Sequence, residues 1–127
     1  MRIVVTGSRR WTDSDTIRAV LRDLDDGTPI TLLIHGDCRG ADRTAASVAH
    51  QLGIRTLAYP ANWKELGKAA GPFRNRAMLD DWSPELVVGF HGDYKNSKGT
   101  KDCIQAALQR KIPVMLVRTF DDVEMLG

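Results

Sequence analysis

Only two of the 127 residues are cysteine, and Cys38 and Cys103 stand far apart, with no Cys-x-x-Cys pair and no histidine at ligand spacing. A disulfide scaffold and a structural zinc site are both excluded on that ground, and the thiols are read as reduced. Long apolar runs are missing too. The longest extend three or four residues, as in Ile3-Val4-Val5, so the sequence offers neither a membrane span nor the apolar segment of a secretion signal, and a cytoplasmic protein is expected. Charge of one sign is also lacking. With 18 basic residues against 16 acidic ones the net charge is +2, which rules out a polycation that coats nucleic acid over its whole surface. Aromatic residues, at 6%, are too few for a series of base-stacking platforms, so nucleic acid is not the expected partner. No acidic cluster resembles a metal site, and neither a metal nor another cofactor is expected.

What is present is a 43% hydrophobic chain of a size to form one domain over residues 1–127. Its apolar residues fall into an alternating pattern. Arg2 to Gly7 is a β-branched run that reads as a buried strand. Ile17, Val20, Leu21 and Leu24 then recur at helical spacing, with Thr12 as the expected N-cap and Gly27 as the stop. Ile30 to His35 gives a second strand, and Ala45, Val48, Ala49 and Leu52 a second helix ending at Gly53. Residues 54–59 suit a third strand near the sheet edge, stopped by Pro60. Pro72 is expected to open a helix that turns Phe73, Ala77 and Met78 inward. Residues 85–90 form a fourth strand. Thr100, Cys103, Ile104, Ala107 and Leu108 mark one face of a further helix, and residues 113–117 a fifth strand. The last ten residues give no assignable pattern. Five strands alternating with helices imply an α/β fold with a parallel sheet, right-handed crossovers and helices on both faces. In such sheets ligands bind beyond the carboxyl ends of the strands, where the strand order reverses.

The loops at those strand ends share one character. After strand one come Gly7, Ser8, Arg9 and Arg10, where backbone N–H groups and two forked guanidinium groups suit phosphate or carboxylate oxygens. This loop carries neither the P-loop lysine nor the three-glycine dinucleotide fingerprint. After strand two come His35, Gly36, Arg39, Gly40, Ala41 and Asp42, two glycines around an arginine running into a helix start. Asp42 also fits a plain cap, and His35 a satisfied polar strand end. The third group is Trp63, Gly71, Pro72, Arg74 and Asn75, an aromatic face for a base or sugar with polar groups at a helix start. The fourth holds Gly92, Ser97, Gly99 and Thr100 ahead of a helix whose positive end suits a phosphate.

Gly7-Ser8-Arg9, His35-Gly36 with Arg39-Gly40-Ala41-Asp42, Pro60-Ala61-Asn62-Trp63, Gly71-Pro72 with Arg74-Asn75 and Met78, and Lys98-Gly99-Thr100 together resemble the SLOG superfamily, and within it the YspA-related family. The resemblance implies a Rossmann-like three-layer sandwich with a five-stranded parallel sheet in the order 3-2-1-4-5. It also implies a pocket above strands one and four for a nucleotide or nucleotide-derived ligand, lined by the four loops, with Arg9, Arg39 and Arg74 as phosphate or carboxylate partners. A homodimer or higher homo-oligomer is expected by the same likeness. Some relatives of this kind are phosphoribohydrolases similar to the cytokinin-activating LOG enzymes, whose motif is Pro-Gly-Gly-x-Gly-Thr-x-x-Glu. The matching stretch, Gly92 to Cys103, has no Pro-Gly-Gly and carries Cys103 where the catalytic glutamate falls, so Asp42 and Asp102 remain the only candidates for its role. Binding without catalysis is thus the leading expectation, N-glycosidic hydrolysis the second, and single-stranded DNA binding, as in related DNA-processing proteins, the third.

Overall fold

The computed structural model describes all 127 residues, as strands β1 (Arg2–Gly7), β2 (Leu32–His35), β3 (Thr56–Ala58), β4 (Leu86–Phe90), β5 (Val114–Thr119) and β6 (Asp122–Leu126). The helices are α1 (Ser14–Gly27), α2 (Ala41–Gln51), α3 (Trp63–Leu66), α4 (Ala70–Trp82) and α5 (Gly99–Gln109), with short 3₁₀ turns at Gly67–Ala69 and Tyr94–Asn96. The sheet order is β3-β2-β1-β4-β5-β6. β1 pairs in parallel with β2 and β4, and the strand order reverses between those two neighbours.

The expected five-strand order is therefore present, but the sheet has six strands. β6 folds back antiparallel on β5, with Val117 opposite Val123 and Met115 opposite Met125. Its five residues, Asp-Val-Glu-Met-Leu, alternate polar and apolar, but this edge strand is exposed on both faces, and its length is too short to stand out from the sequence. The apolar runs at 30–35 and 54–59 shorten by two residues at the start, and the latter by one at its end, because Ile54 lies beyond α2 donating its N–H back to the Ala49 carbonyl. Thr12 is not the N-cap of α1. Asp13 is, its carboxylate accepting the Thr16 N–H at 3.0 Å.

Two apolar layers flank the sheet. One joins Ile17 and Leu21 of α1 and Ala45, Val48 and Ala49 of α2 to Ile3, Val5, Leu33, Val88 and Phe90. The other joins Met78 and Leu79 of α4 and Cys103, Ile104 and Ala107 of α5 to Val4, Ile34, Val87 and Leu116. Phe73 does not point inward as expected and is 66% exposed. α4 begins at Ala70, two residues before Pro72, and its buried positions are 70, 71, 74, 75, 78 and 79, which leaves 73 on the far side. Pro72 still sits within the first turn, where its missing N–H costs no helical bond. No helix is long and apolar enough to cross a membrane.

Candidate functional site

The turn after β1 is stitched to its neighbours on both sides. The Ser8 N–H donates to the Phe90 carbonyl at the end of β4 (2.9 Å), and the Ser8 carbonyl accepts the Ala41 N–H at the start of α2 (3.0 Å). Such closeness requires glycine. A Cβ on Gly7 would lie 2.5 Å from the Phe90 carbonyl oxygen, and one on Gly40 2.4 Å from the Ser8 carbonyl oxygen. Gly40 also has φ +80°, which L side chains rarely adopt.

Above the carboxyl ends of β1 and β4 opens a cleft of about 770 Å³. Its first wall is Gly7, Ser8, Arg9 and Arg10. The second carries Trp63, Gly71, Pro72 and Arg74, and the third Ser97, Gly99 and Thr100. The structure thus brings three of the four sequence-identified loops to one place. A recess of about 50 Å³ lies beneath, sharing Gly7, Arg9, Arg74, Gly99 and Thr100 with the cleft and adding Gly36, Asp42 and Asn75. His35, Arg39, Gly40, Ala41 and Gly92 line neither space. Gly40 and Ala41 hold the first loop instead, and the Arg39 side chain is exposed.

Sequence reasoning did not single out Lys68, His91, Asp93, Asn96 or Lys98 as ligand-facing, and all five line the cleft. Lys98 and Asn96 were detectable by their place in the loop that opens α5. Lys68 was not, because residues 60–71 show no periodicity. α3 within that stretch is capped by Asn62, whose side-chain oxygen accepts the Glu65 N–H.

The N-terminus of α5 faces the cleft with donors to spare. Ser97 Oγ accepts the Lys101 N–H (3.1 Å) and the Lys98 carbonyl the Asp102 N–H, while the N–H groups of Gly99 and Thr100 find no acceptor in the protein. Lys98, Lys68 and Arg10 line the same cleft, together with the carboxylates of Asp93 and Asp102. Such an end holds an anionic group by geometry and by the helix dipole together.

Arg74 is buried, 8% exposed, and already engaged. Nη1 donates to the carbonyls of Gly36 (2.6 Å) and Tyr59 (3.2 Å), and Nε to Asn75 Oδ1 (2.9 Å). Asn75 passes the contact on, its Nδ2 reaching the Gly99 carbonyl (3.3 Å) and Asp102 Oδ2 (3.1 Å). Arg76 grips both oxygens of Asp102, at 3.0 and 3.1 Å. These bonds fasten α4 to α5 and set the direction of the α5 N-terminus. Burial raises the Asp102 carboxyl, but the hydrogen bonds from Arg76 and Asn75 outweigh it and hold the group below the ordinary aspartate range. It is an ion-paired carboxylate rather than a proton donor.

Asp42 is different. It is 5% exposed, and burial pushes its carboxyl up to about 6 despite the N–H groups of Gly36 (3.0 Å) and Cys38 (3.4 Å), which both donate to Oδ2. Cys103 is fully buried and its thiol is pushed up to about 12, first by burial and then by Asp42, so it is neither nucleophile nor base. Burial lowers His35, whose Nδ1 accepts the Asp37 N–H (3.0 Å).

The Asp42 shift carries a pH prediction. A carboxyl raised from 3.8 to about 6 binds its proton more tightly in the folded chain, so the stability it lends is complete below pH 3.8 and lost as pH rises through about 6. Two units correspond to about 3 kcal/mol. His35 works in the opposite sense, losing stability as pH falls below its ordinary 6.5, so the wild-type profile mixes the two. Urea unfolding of Asp42→Asn beside wild type separates them. The stability difference is expected to shift in the variant's favour by about 3 kcal/mol between pH 4 and pH 7.5, whereas a constant difference would contradict a raised carboxyl.

Comparison with known proteins agrees with this architecture. DNA processing protein A (DprA) of Streptococcus pneumoniae superposes with a TM-score of 0.71 at 20% identity, over 91% of this chain and 49% of that one. The UDP-GlcNAc 2-epimerase of Neisseria meningitidis, in a structure bound to UDP-GlcNAc, gives 0.58 at 19% identity, over 92% of this chain and 32% of that one. The chain spans about half of the DprA length and a third of the epimerase, so these likenesses concern the fold. The Gene 61 protein of Mycobacterium phage D29 is 33% identical over 120 residues, 90% of this chain and 94% of the phage protein. The model of the YspA, cpYpsA-related SLOG family matches residues 1–66, which hold β1, α1, β2, α2, β3 and α3. With that match and the phage relative, the chain belongs to the YspA, cpYpsA-related SLOG family.

Proposed function

We propose that the chain is a binding module for a nucleotide or nucleotide-derived ligand, seated in the cleft with a phosphate at the N-terminus of α5. The observation that carries this reading is the pair of unpaired N–H groups at Gly99 and Thr100, opening into a 770 Å³ cleft with Arg10, Lys68 and Lys98 around it. A phosphate satisfies both donors, which no protein acceptor reaches. The cleft also lies where the strand order reverses, the usual ligand position in open α/β sheets. A thermal-shift screen against nucleotides, cyclic nucleotides and nucleoside diphosphate sugars tests it. A ligand at 100 times its Kd is expected to stabilise the fold by about 2.7 kcal/mol, and a melting temperature unmoved by every compound would count against the reading.

Hydrolysis of an N-glycosidic bond is the second reading. The buried Asp42, poised near pH 6 in the recess below the cleft, favours it, since a carboxyl in that range serves as acid or base near neutrality. Chromatography of a bound nucleoside 5′-monophosphate after long incubation divides the two readings. A binder returns it whole, whereas a hydrolase releases free base and stops doing so in Asp42→Asn.

A further inference from the structure

We infer that Arg9 and Trp63 form a two-sided clamp for a planar heteroaromatic ring, the base of the nucleotide; this assignment rests on the nucleotide reading above. The Arg9 guanidinium carbon stands over the Trp63 ring, 6.0 Å from its centroid, and both side chains line the cleft. A flat ring held in contact on both faces needs about 7 Å between its neighbours, two carbon contacts of about 3.5 Å each. The gap is therefore about 1 Å short of a sandwich. Arg9 is free to supply that movement, being exposed and having no carboxylate within ion-pair distance.

The opposite jaw rests on a seat. Trp63 is seated on Gly71, where an added Cβ would come within 3.1 Å of the indole, so the absence of a side chain at 71 makes the seat for the ring. Trp63 nevertheless remains 49% exposed, a large apolar face left open at the edge of a polar cleft. Arg is suited to the movable jaw because its guanidinium is planar and stacks as well as carrying charge, which a lysine ammonium does not. With phosphate held by main-chain donors at α5 and the ring held by its two faces, the contacts read flatness and charge rather than the hydrogen-bonding edge of the base. Selectivity among bases is accordingly slight.

Calorimetric titration with AMP, GMP, CMP, UMP and ribose 5-phosphate tests the clamp in wild type, Trp63→Ala, Trp63→Phe and Arg9→Lys. In wild type the four nucleotides are expected to bind within a few-fold of one another, and ribose 5-phosphate about tenfold or more weakly. Trp63→Ala is expected to drop the nucleotides to the affinity of ribose 5-phosphate and leave ribose 5-phosphate unchanged, with Trp63→Phe retaining most of the difference. Arg9→Lys, at an exposed position whose side chain makes no hydrogen bond or ion pair within the protein, is expected to weaken the nucleotides several-fold and spare ribose 5-phosphate. Two outcomes overturn the clamp while leaving the nucleotide reading intact: nucleotide affinity untouched by both Trp63→Ala and Arg9→Lys, or equal losses for ribose 5-phosphate and the nucleotides. Absence of binding by all five compounds in wild type overturns the clamp, and a silent thermal-shift panel beside it overturns the nucleotide reading as well.

Discussion

Replacing Gly40 by alanine is expected to lower the melting temperature by about 10–20 °C, a loss of about 4 kcal/mol for a chain of this size. Two causes add. At φ +80° and ψ −126° the backbone occupies a region nearly closed to residues with a Cβ, which costs about 1–3 kcal/mol. The new methyl would also stand 2.4 Å from the Ser8 carbonyl oxygen and 2.6 Å from the Arg9 carbonyl carbon, main-chain atoms that have no rotamer in which to escape. Relief requires the turn after β1 to move away from α2, which breaks the bond from the Ala41 N–H to the Ser8 carbonyl and displaces the first wall of the cleft. Gly92→Ala is the matched control, because nothing lies within 4 Å of its added Cβ and its φ is ordinary; a change within about 0.5 kcal/mol is expected there. Scanning calorimetry of both variants decides the matter. Comparable melting temperatures for the two would show that the turn yields more easily than the close contacts imply.

Arg74→Met is expected to cost about 3–5 kcal/mol, measured by urea unfolding at pH 7. Methionine approximates the aliphatic stem but donates no hydrogen bond, so it strands the carbonyls of Gly36 and Tyr59 and the side-chain oxygen of Asn75. It also removes the positive charge that eases the ionised form of Asp42. The Asp42 proton is then held more tightly still, and the stability loss is expected to be larger at pH 7.5 than at pH 5. A pH-independent loss of less than about 1 kcal/mol would mean that water replaces the guanidinium without penalty. The consequence for reading binding data is direct. Weak ligand binding in an Arg74 variant reports a loosened joint between α4 and the loops after β2 and β3 as much as a lost contact to phosphate.

Arg74 also illustrates where a sequence stops being legible. Its place at the start of a helix marks it as a phosphate partner, and only the fold reveals that its acceptors are the carbonyls of residues 36 and 59, which no local pattern connects to position 74. The places of β1, β2, β4 and β5 along the chain were readable because each is a continuous apolar run closed by glycine, proline or a polar loop, β3 because a looser alternation stops at Pro60, and α1, α2 and α5 because their apolar residues recur at helical spacing; their order in the sheet came from the family resemblance. β6 escaped because Val123 and Met125 stay 46% and 56% exposed, and half-exposed alternation over five residues carries little signal. The start of α4 was misjudged because Pro72 is tolerated anywhere in a first turn, and the error turned Phe73 the wrong way. At the site, glycines proved informative of position but not of role. Gly7 and Gly40 admit neighbouring protein backbone or side chain rather than ligand, whereas Lys68 and Lys98, which no local pattern marks as paired, line the same cleft as the α5 N-terminus.

The open N–H groups of Gly99 and Thr100 have a bearing on how such proteins diverge and how they are surveyed. A donor that belongs to the main chain is carried by every residue except proline, so alanine scanning passes over it and natural substitution at 99 and 100 leaves it in place. On the proposed reading, relatives can therefore replace most cleft side chains and keep the same main-chain donors for an anion, with no motif left to mark them. Amide-to-ester replacement at these two positions, made by semisynthesis, deletes the donor while sparing the side chain and exposes what a mutational map leaves blank.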